Sequence, residues 1–105
     1  MKLFTLLILL VFLTGTATAS SVQTQAHEKG YPIGYKTGVS KGKQDCLKYG
    51  KTSVLVKIPN APTVHFKNGV SNYIKVVYLA EYKKAFKSGF LVGYHSVRFG
   101  CLKGK

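Results

Sequence analysis

Two stretches of the chain place apolar residues at helical spacing, and the stretch between them is β-branched and extended in character instead. From about residue 28 to residue 48, Tyr31, Tyr35, Gly38, Val39, Gly42, Cys46 and Tyr49 fall on one arc at roughly 100° per residue, while Lys29, Lys36, Lys41, Lys43 and Lys48 lie off it. The spacing predicts an amphipathic helix that starts at His27 or Glu28, with Pro32 in its first turn, where proline is tolerated. The glycines at positions 30, 34, 38 and 42 each cost up to about 1 kcal/mol of helix propensity relative to alanine. Such a helix persists only if it packs against a partner.

The second stretch is more apolar. Over residues 79–99, Leu79, Tyr82, Phe86, Gly89, Phe90, Gly93 and Val97 share a face, while Val77, Leu91, Val92 and Phe99 point elsewhere. This predicts the more deeply buried helix, capped at its start by Ser71 or Asn72 and ended by Gly100. The β-branched run over residues 73–78 leaves a strand open there. Between the helices, with Gly50 as the stop of the first, Thr52-Ser53-Val54-Leu55-Val56-Lys57-Ile58 has extended character. Pro59-Asn60-Ala61-Pro62 interrupts it, and Thr63-Val64-His65-Phe66 precedes the turn signature Lys67-Asn68-Gly69. A small hairpin and an extended crossover fit this linker, residues 51–70, equally well.

The two helical stretches resemble each other. Gly34-Tyr35-Lys36-Thr37-Gly38-Val39-Ser40-Lys41-Gly42 matches Ala85-Phe86-Lys87-Ser88-Gly89-Phe90-Leu91-Val92-Gly93 at a shift of 51 positions. Small residues every fourth position, Gly34, Gly38 and Gly42 on one helix and Ala85, Gly89 and Gly93 on the other, let two backbones approach closely. Cys46 and Cys101 each lie near the end of a helix, so a disulfide between them implies roughly parallel helices with the two glycine rows face to face. The linker is long enough to run back along the first helix. The expected fold is therefore mostly α: two amphipathic glycine-rich helices joined by an extended or hairpin-like linker and bridged by a disulfide.

The remaining features concern compartment and charge. Residues 1–19, with Lys2, an apolar run over residues 3–13 and Ala17-Thr18-Ala19, read as a secretory signal peptide. The apolar run is shorter than a membrane span requires, and no later stretch comes closer, so integral membrane insertion is not expected. Residues 20–27 then form a flexible mature N-terminus and residues 28–105 a single small helical domain. Two cysteines in so short an exported chain favour a disulfide. Sixteen Lys and Arg against three Asp and Glu give a formal charge of +13, which draws the protein towards polyanions, anionic lipid surfaces and acidic proteins. Secretion or association with the cell envelope is the expected location.

Tyr31-Pro32-Ile33-Gly34-Tyr35-Lys36-Thr37-Gly38 and Glu81-Tyr82-Lys83-Lys84-Ala85-Phe86-Lys87-Ser88-Gly89-Phe90 resemble the paired glycine-aromatic motifs of small exported repeat proteins of ammonia-oxidising archaea. The likeness extends to a proline-bearing linker with a histidine before the second motif, here Pro59, Pro62 and His65, and covers about half the mature chain. This chain has Lys and Ser where those proteins carry Asn and Asp. The resemblance implies no established activity and carries over no catalytic residue.

Candidate chemistry is sparse. Glu28, Asp45 and Glu81 are scattered, and no nucleophile motif or phosphate-binding loop occurs, which argues against an enzyme. No cofactor is expected. His27, His65 and His95 have no metal-ligand spacing, although cleavage before His27 would create an amine-imidazole pair suited to Cu(II). The tyrosines cluster with the glycines, which predicts core packing for Tyr35, Tyr82 and Phe86. The expected function is non-enzymatic binding of an anionic polymer, acidic protein or anionic lipid surface, with Lys36, Lys41, Lys43, Lys83, Lys84 and Lys87 as the anion-binding residues. A cationic membrane-active protein and a copper-binding exported protein are the alternatives.

Overall fold

The computed structural model describes residues 19–102 as two helices, α1 (Ala19–Tyr49) and α2 (Asn72–Leu102), joined by a linker that contains no strand. The signal peptide assigned to residues 1–19 lies, apart from Ala19, outside the described residues. Cys46 and Cys101 form a disulfide with their Cα atoms 5.9 Å apart, so the C-terminal ends of the helices meet and the pair is parallel. No described helix is long and apolar enough to cross a membrane.

Local chemistry explains most boundaries. Ser71 accepts a hydrogen bond on Oγ from the Ile74 N–H at 3.2 Å and so caps α2. The following β-branched run is helical rather than extended, because a capped start and the packing beyond it outweigh propensity. Gly50 stops α1 at φ +57° while its N–H donates to the Cys46 carbonyl at 2.9 Å, the left-handed cap that glycine adopts without steric cost. Past the expected stop at Gly100, α2 continues to Leu102, carrying Cys101 into the bridge.

The start of α1 requires correction. The helix begins at Ala19, not at His27 or Glu28, and residues 20–27, expected to be a loose terminus, belong to it. Pro32 therefore lies inside the helix, where it is exposed, so the Glu28 carbonyl it leaves without an intrahelical donor can be met by water. Packing explains the extension: Ala26 is fully buried and continues, at four-residue intervals, the row Gly30, Gly34, Gly38 and Gly42.

That row sets the geometry of the pair. A Cβ on Gly30 would stand 2.6 Å from the Tyr82 carbonyl oxygen, and one on Gly34 or Gly38 would collide with the carbonyls of Phe86 or Phe90. In reverse, Gly89 and Gly93 lie against the carbonyls of Tyr31 and Tyr35. The glycine rows thus face the partner's aromatic-row backbone rather than each other. Each glycine presents a Cα–H to a carbonyl oxygen, a weak contact that recurs where helices pack closely. A row of period four drifts about 40° per step on a helix of 3.6 residues per turn, and it stays in contact only if the pair winds right-handed.

These contacts also correct the internal register. The Gly34–Phe86 contact exchanges with Gly89–Tyr31, and Gly38–Phe90 with Gly93–Tyr35, so positions 55 apart are equivalent, the same separation as the cysteines. The shift of 51 read from the sequence is one step of the four-residue row away. Sequence matching cannot distinguish two registers that differ by a full step of a repeating row.

Among the described residues, the buried apolar side chains apart from Ala26 come from α2: Tyr82, Ala85, Phe86, Phe90 and Tyr94. Their rings stack along the helix, with centroids 6.4 Å apart for Phe86 and Phe90 and 5.9 Å for Phe90 and Tyr94. Residues 50–71 run back over this aromatic row as an extended strap, with Val54, Val56, Ile58, Ala61, Val64 and Phe66 half-buried. The strap can cover only one of the two equivalent faces. On the other, Tyr35 is 39% exposed and gives Gly93 its carbonyl instead of burying its ring, contrary to the core role expected of it.

Candidate functional site

The strap divides its face into two open grooves that share Ile58, Pro59 and Asn60. The groove on the α1 side, about 820 Å³, is lined by Lys36, Thr37, Ser40, Lys41 and Gln44 of α1 and by Lys57 of the strap, with Phe90 at its floor. The groove on the α2 side, about 740 Å³, is lined by Leu79, Tyr82, Lys83, Phe86 and Lys87. Helical spacing explains the lysine positions. Lys83 and Lys87 are one turn apart on α2, each adjacent in sequence to a buried aromatic, so their stems flank the row that the strap covers.

Four of the six lysines expected to bind anions therefore line this face: Lys36 and Lys41 on one side, Lys83 and Lys87 on the other. Lys43 lies apart, in a shallower depression of about 330 Å³ with Tyr35, Lys36, Val39 and Ser40. Lys84 is exposed and lines none of these grooves. Lys57, which the sequence reading did not select, joins the group because the strap folds back over the helices.

Few carboxylates neutralise these cations. Among the described residues the ion pairs are Lys41 Nζ to Asp45 Oδ1 at 3.4 Å and His27 Nδ1 to Glu81 Oε2 at 3.6 Å. Lys36, Lys57, Lys83 and Lys87 have no acidic partner in either pair. Hydroxyl and amide groups on Ser40, Gln44 and Asn60 supply further hydrogen-bonding capacity in the α1-side groove.

A buried polar cluster anchors the strap at its start. The Tyr94 hydroxyl donates to Asp45 Oδ2 at 2.6 Å. That bond holds the Asp45 carboxyl below its ordinary 3.8 against the opposing effect of burial, with Lys41 and Arg98 also lowering it. Burial lifts the Tyr94 hydroxyl above 10.0, and Asp45 adds to the rise. Arg98, 1% exposed, donates to the carbonyls of Gly50 at 2.9 Å and Thr52 at 2.6 Å. It thereby meets carbonyl groups just past the end of α1 and fixes where the strap begins.

The sequence reading missed this cluster. The signal available was one arginine among many lysines, since a planar guanidinium suits two carbonyls at once where an ammonium does not.

The histidines are not brought together. His27 stacks on Tyr31 and His95 meets Tyr94 edge to face. Among the described residues no three His, Cys, Asp or Glu side chains converge into a metal site. A comparison with protein-family models, curated proteins and solved structures finds no match to this chain.

Proposed function

We propose that the protein is an exported, non-enzymatic binding module that holds an anionic partner across the strap. The observation that carries this reading is the convergence of Lys36, Lys41 and Lys57 on one side of Ile58–Asn60 and of Lys83 and Lys87 on the other. Lys36, Lys57, Lys83 and Lys87 belong to neither ion pair of the described residues and are available to an external anion, whereas Lys41 already faces Asp45. The disulfide suits an oxidising, extracytoplasmic location.

The test is a titration with poly-L-glutamate at two salt concentrations, using the native chain and a Lys36→Ser/Lys41→Ser/Lys83→Ser/Lys87→Ser variant. Binding weakens with salt and falls by at least about tenfold in the variant. Equal binding by a control variant lacking Lys29, Lys48, Lys67 and Lys75 locates the site on the strap face. Equal losses in both variants would reduce the reading to general charge attraction.

A second reading, attachment to anionic lipid, draws on exposed apolar side chains: Leu55 is 98%, Val76 66% and Phe99 62% accessible. Dye release from anionic vesicles, absent with neutral ones, would favour it.

A further inference from the structure

The middle of the strap carries no backbone–backbone hydrogen bond among the described residues. Over residues 53–66, among the described residues, no backbone N–H or C=O pairs with another backbone group; the last such bond before it is Thr52 N–H to Tyr49 O at 3.0 Å. Over residues 53–58 the side chains alternate. Val54, Val56 and Ile58 turn towards the helices, while Ser53, Leu55 and Lys57 turn to solvent. This is the period-two alternation of a strand without a ladder, and an exposed strand edge is a template for another extended chain. Leu55, 98% exposed, adds an apolar anchor at the middle of the edge, and Pro59, which lacks an N–H, ends it.

Resting on the anion-binding reading above, we propose that the partner is an acidic peptide segment that docks in extended form and adds a strand to residues 53–58. Its backbone pairs with the strap edge, an apolar side chain packs on Leu55, and its carboxylates reach Lys57 and, along the adjoining groove, Lys36 and Lys41. Charge complementarity selects acidity, since the chain carries sixteen basic residues against three acidic ones. It also disfavours the same edge of a second copy, which would bring together two edges that each carry Lys51 and Lys57. A polyanion without amides would use the lysines but leave both Leu55 and the edge unused.

The test uses the oxidised exported chain and four probes in calorimetric titration: a decapeptide of Glu with one central Val, so that the Val shares its face of the strand with Glu, two analogues N-methylated at every odd or at every even position, and inorganic polyphosphate. Each analogue keeps the carboxylates but blocks the N–H groups of one edge. The parent peptide binds, one analogue loses about tenfold or more while the other is retained, and Leu55→Ser weakens the peptide but not polyphosphate. Equal binding of the parent and both analogues overturns strand addition and leaves the anion-binding reading standing, as does binding of polyphosphate alone. Failure of all four probes removes both. Sedimentation of the chain alone as a dimer that Leu55→Ser dissociates assigns the edge to a second copy and overturns the proposal.

Discussion

Gly38 of α1 lies directly beneath the carbonyl of Phe90 in α2, and Gly93 of α2 lies beneath the carbonyl of Tyr35 in α1. The two relationships are one contact seen from either side of an approximate twofold axis, on which the Cys46–Cys101 bridge also sits. Nothing larger than a hydrogen fits at these points, and the closeness they permit brings the aromatic row of α2 within reach of both α1 and the strap.

Glycine replacements should therefore grade with the space available. Gly34→Ala and Gly38→Ala place a methyl against backbone and should cost about 2–3 kcal/mol. Gly42→Ala meets Tyr94 O and the Val97 Cβ at 3.0 Å and should cost less. Gly100→Ala meets nothing within 4 Å inside a helix and should stabilise by up to about 1 kcal/mol. Urea denaturation midpoints order the series.

Arg98→Met should destabilise by about 2–4 kcal/mol, because the carbonyls of Gly50 and Thr52 lose a buried donor. Arg98→Lys should recover little, since an ammonium lacks the planar fork that reaches both. Amide exchange would show the loss first at Gly50 and Thr52, whose N–H groups donate to the Cys46 and Tyr49 carbonyls.

The Asp45–Tyr94 pair predicts a pH dependence with a defined sign. The depressed carboxyl of Asp45 contributes stability that is full at pH 7 and is lost as pH falls from 3.8 through its lowered folded value. The raised Tyr94 hydroxyl contributes stability that is full below 10.0 and is lost as pH rises through its raised folded value. Tyr94→Phe should lower the urea midpoint at pH 7 and shrink the difference between pH 7 and pH 3.

Much of this fold is legible in the sequence, for identifiable reasons. Gly50 and Ser71 mark boundaries through backbone chemistry that acts locally, and the two cysteines dictate parallel helices once they are joined. Ala19 as the helix start is not legible, because Pro32 is a strong local signal and the burial of Ala26 that overrides it is tertiary. Nor is the pairing register, since a four-residue row matches itself after a shift of four. Tyr35 and Phe90 occupy equivalent positions, yet one is exposed and the other buried, because the strap covers one face only. The lysine-lined grooves depend on the same crossing, which the linker's composition leaves undecided between a hairpin and an extended return.

Reduction should loosen the end where the strap begins. Cys46→Ser/Cys101→Ser removes closure of a loop spanning 55 positions, worth about 4 kcal/mol in the chain-entropy model. The same loss should appear in the native chain on adding dithiothreitol, and thermal melting with and without reductant measures it.

The most direct test of the account is an amide-resolved nuclear magnetic resonance titration of the oxidised protein with poly-L-glutamate. Shifts concentrated at residues 36–44, 53–64 and 79–87 are the predicted result, marking both grooves and the strap between them. Shifts confined to the outer surface around Val92 and Phe99, or spread evenly over all lysine-bearing segments, would contradict it.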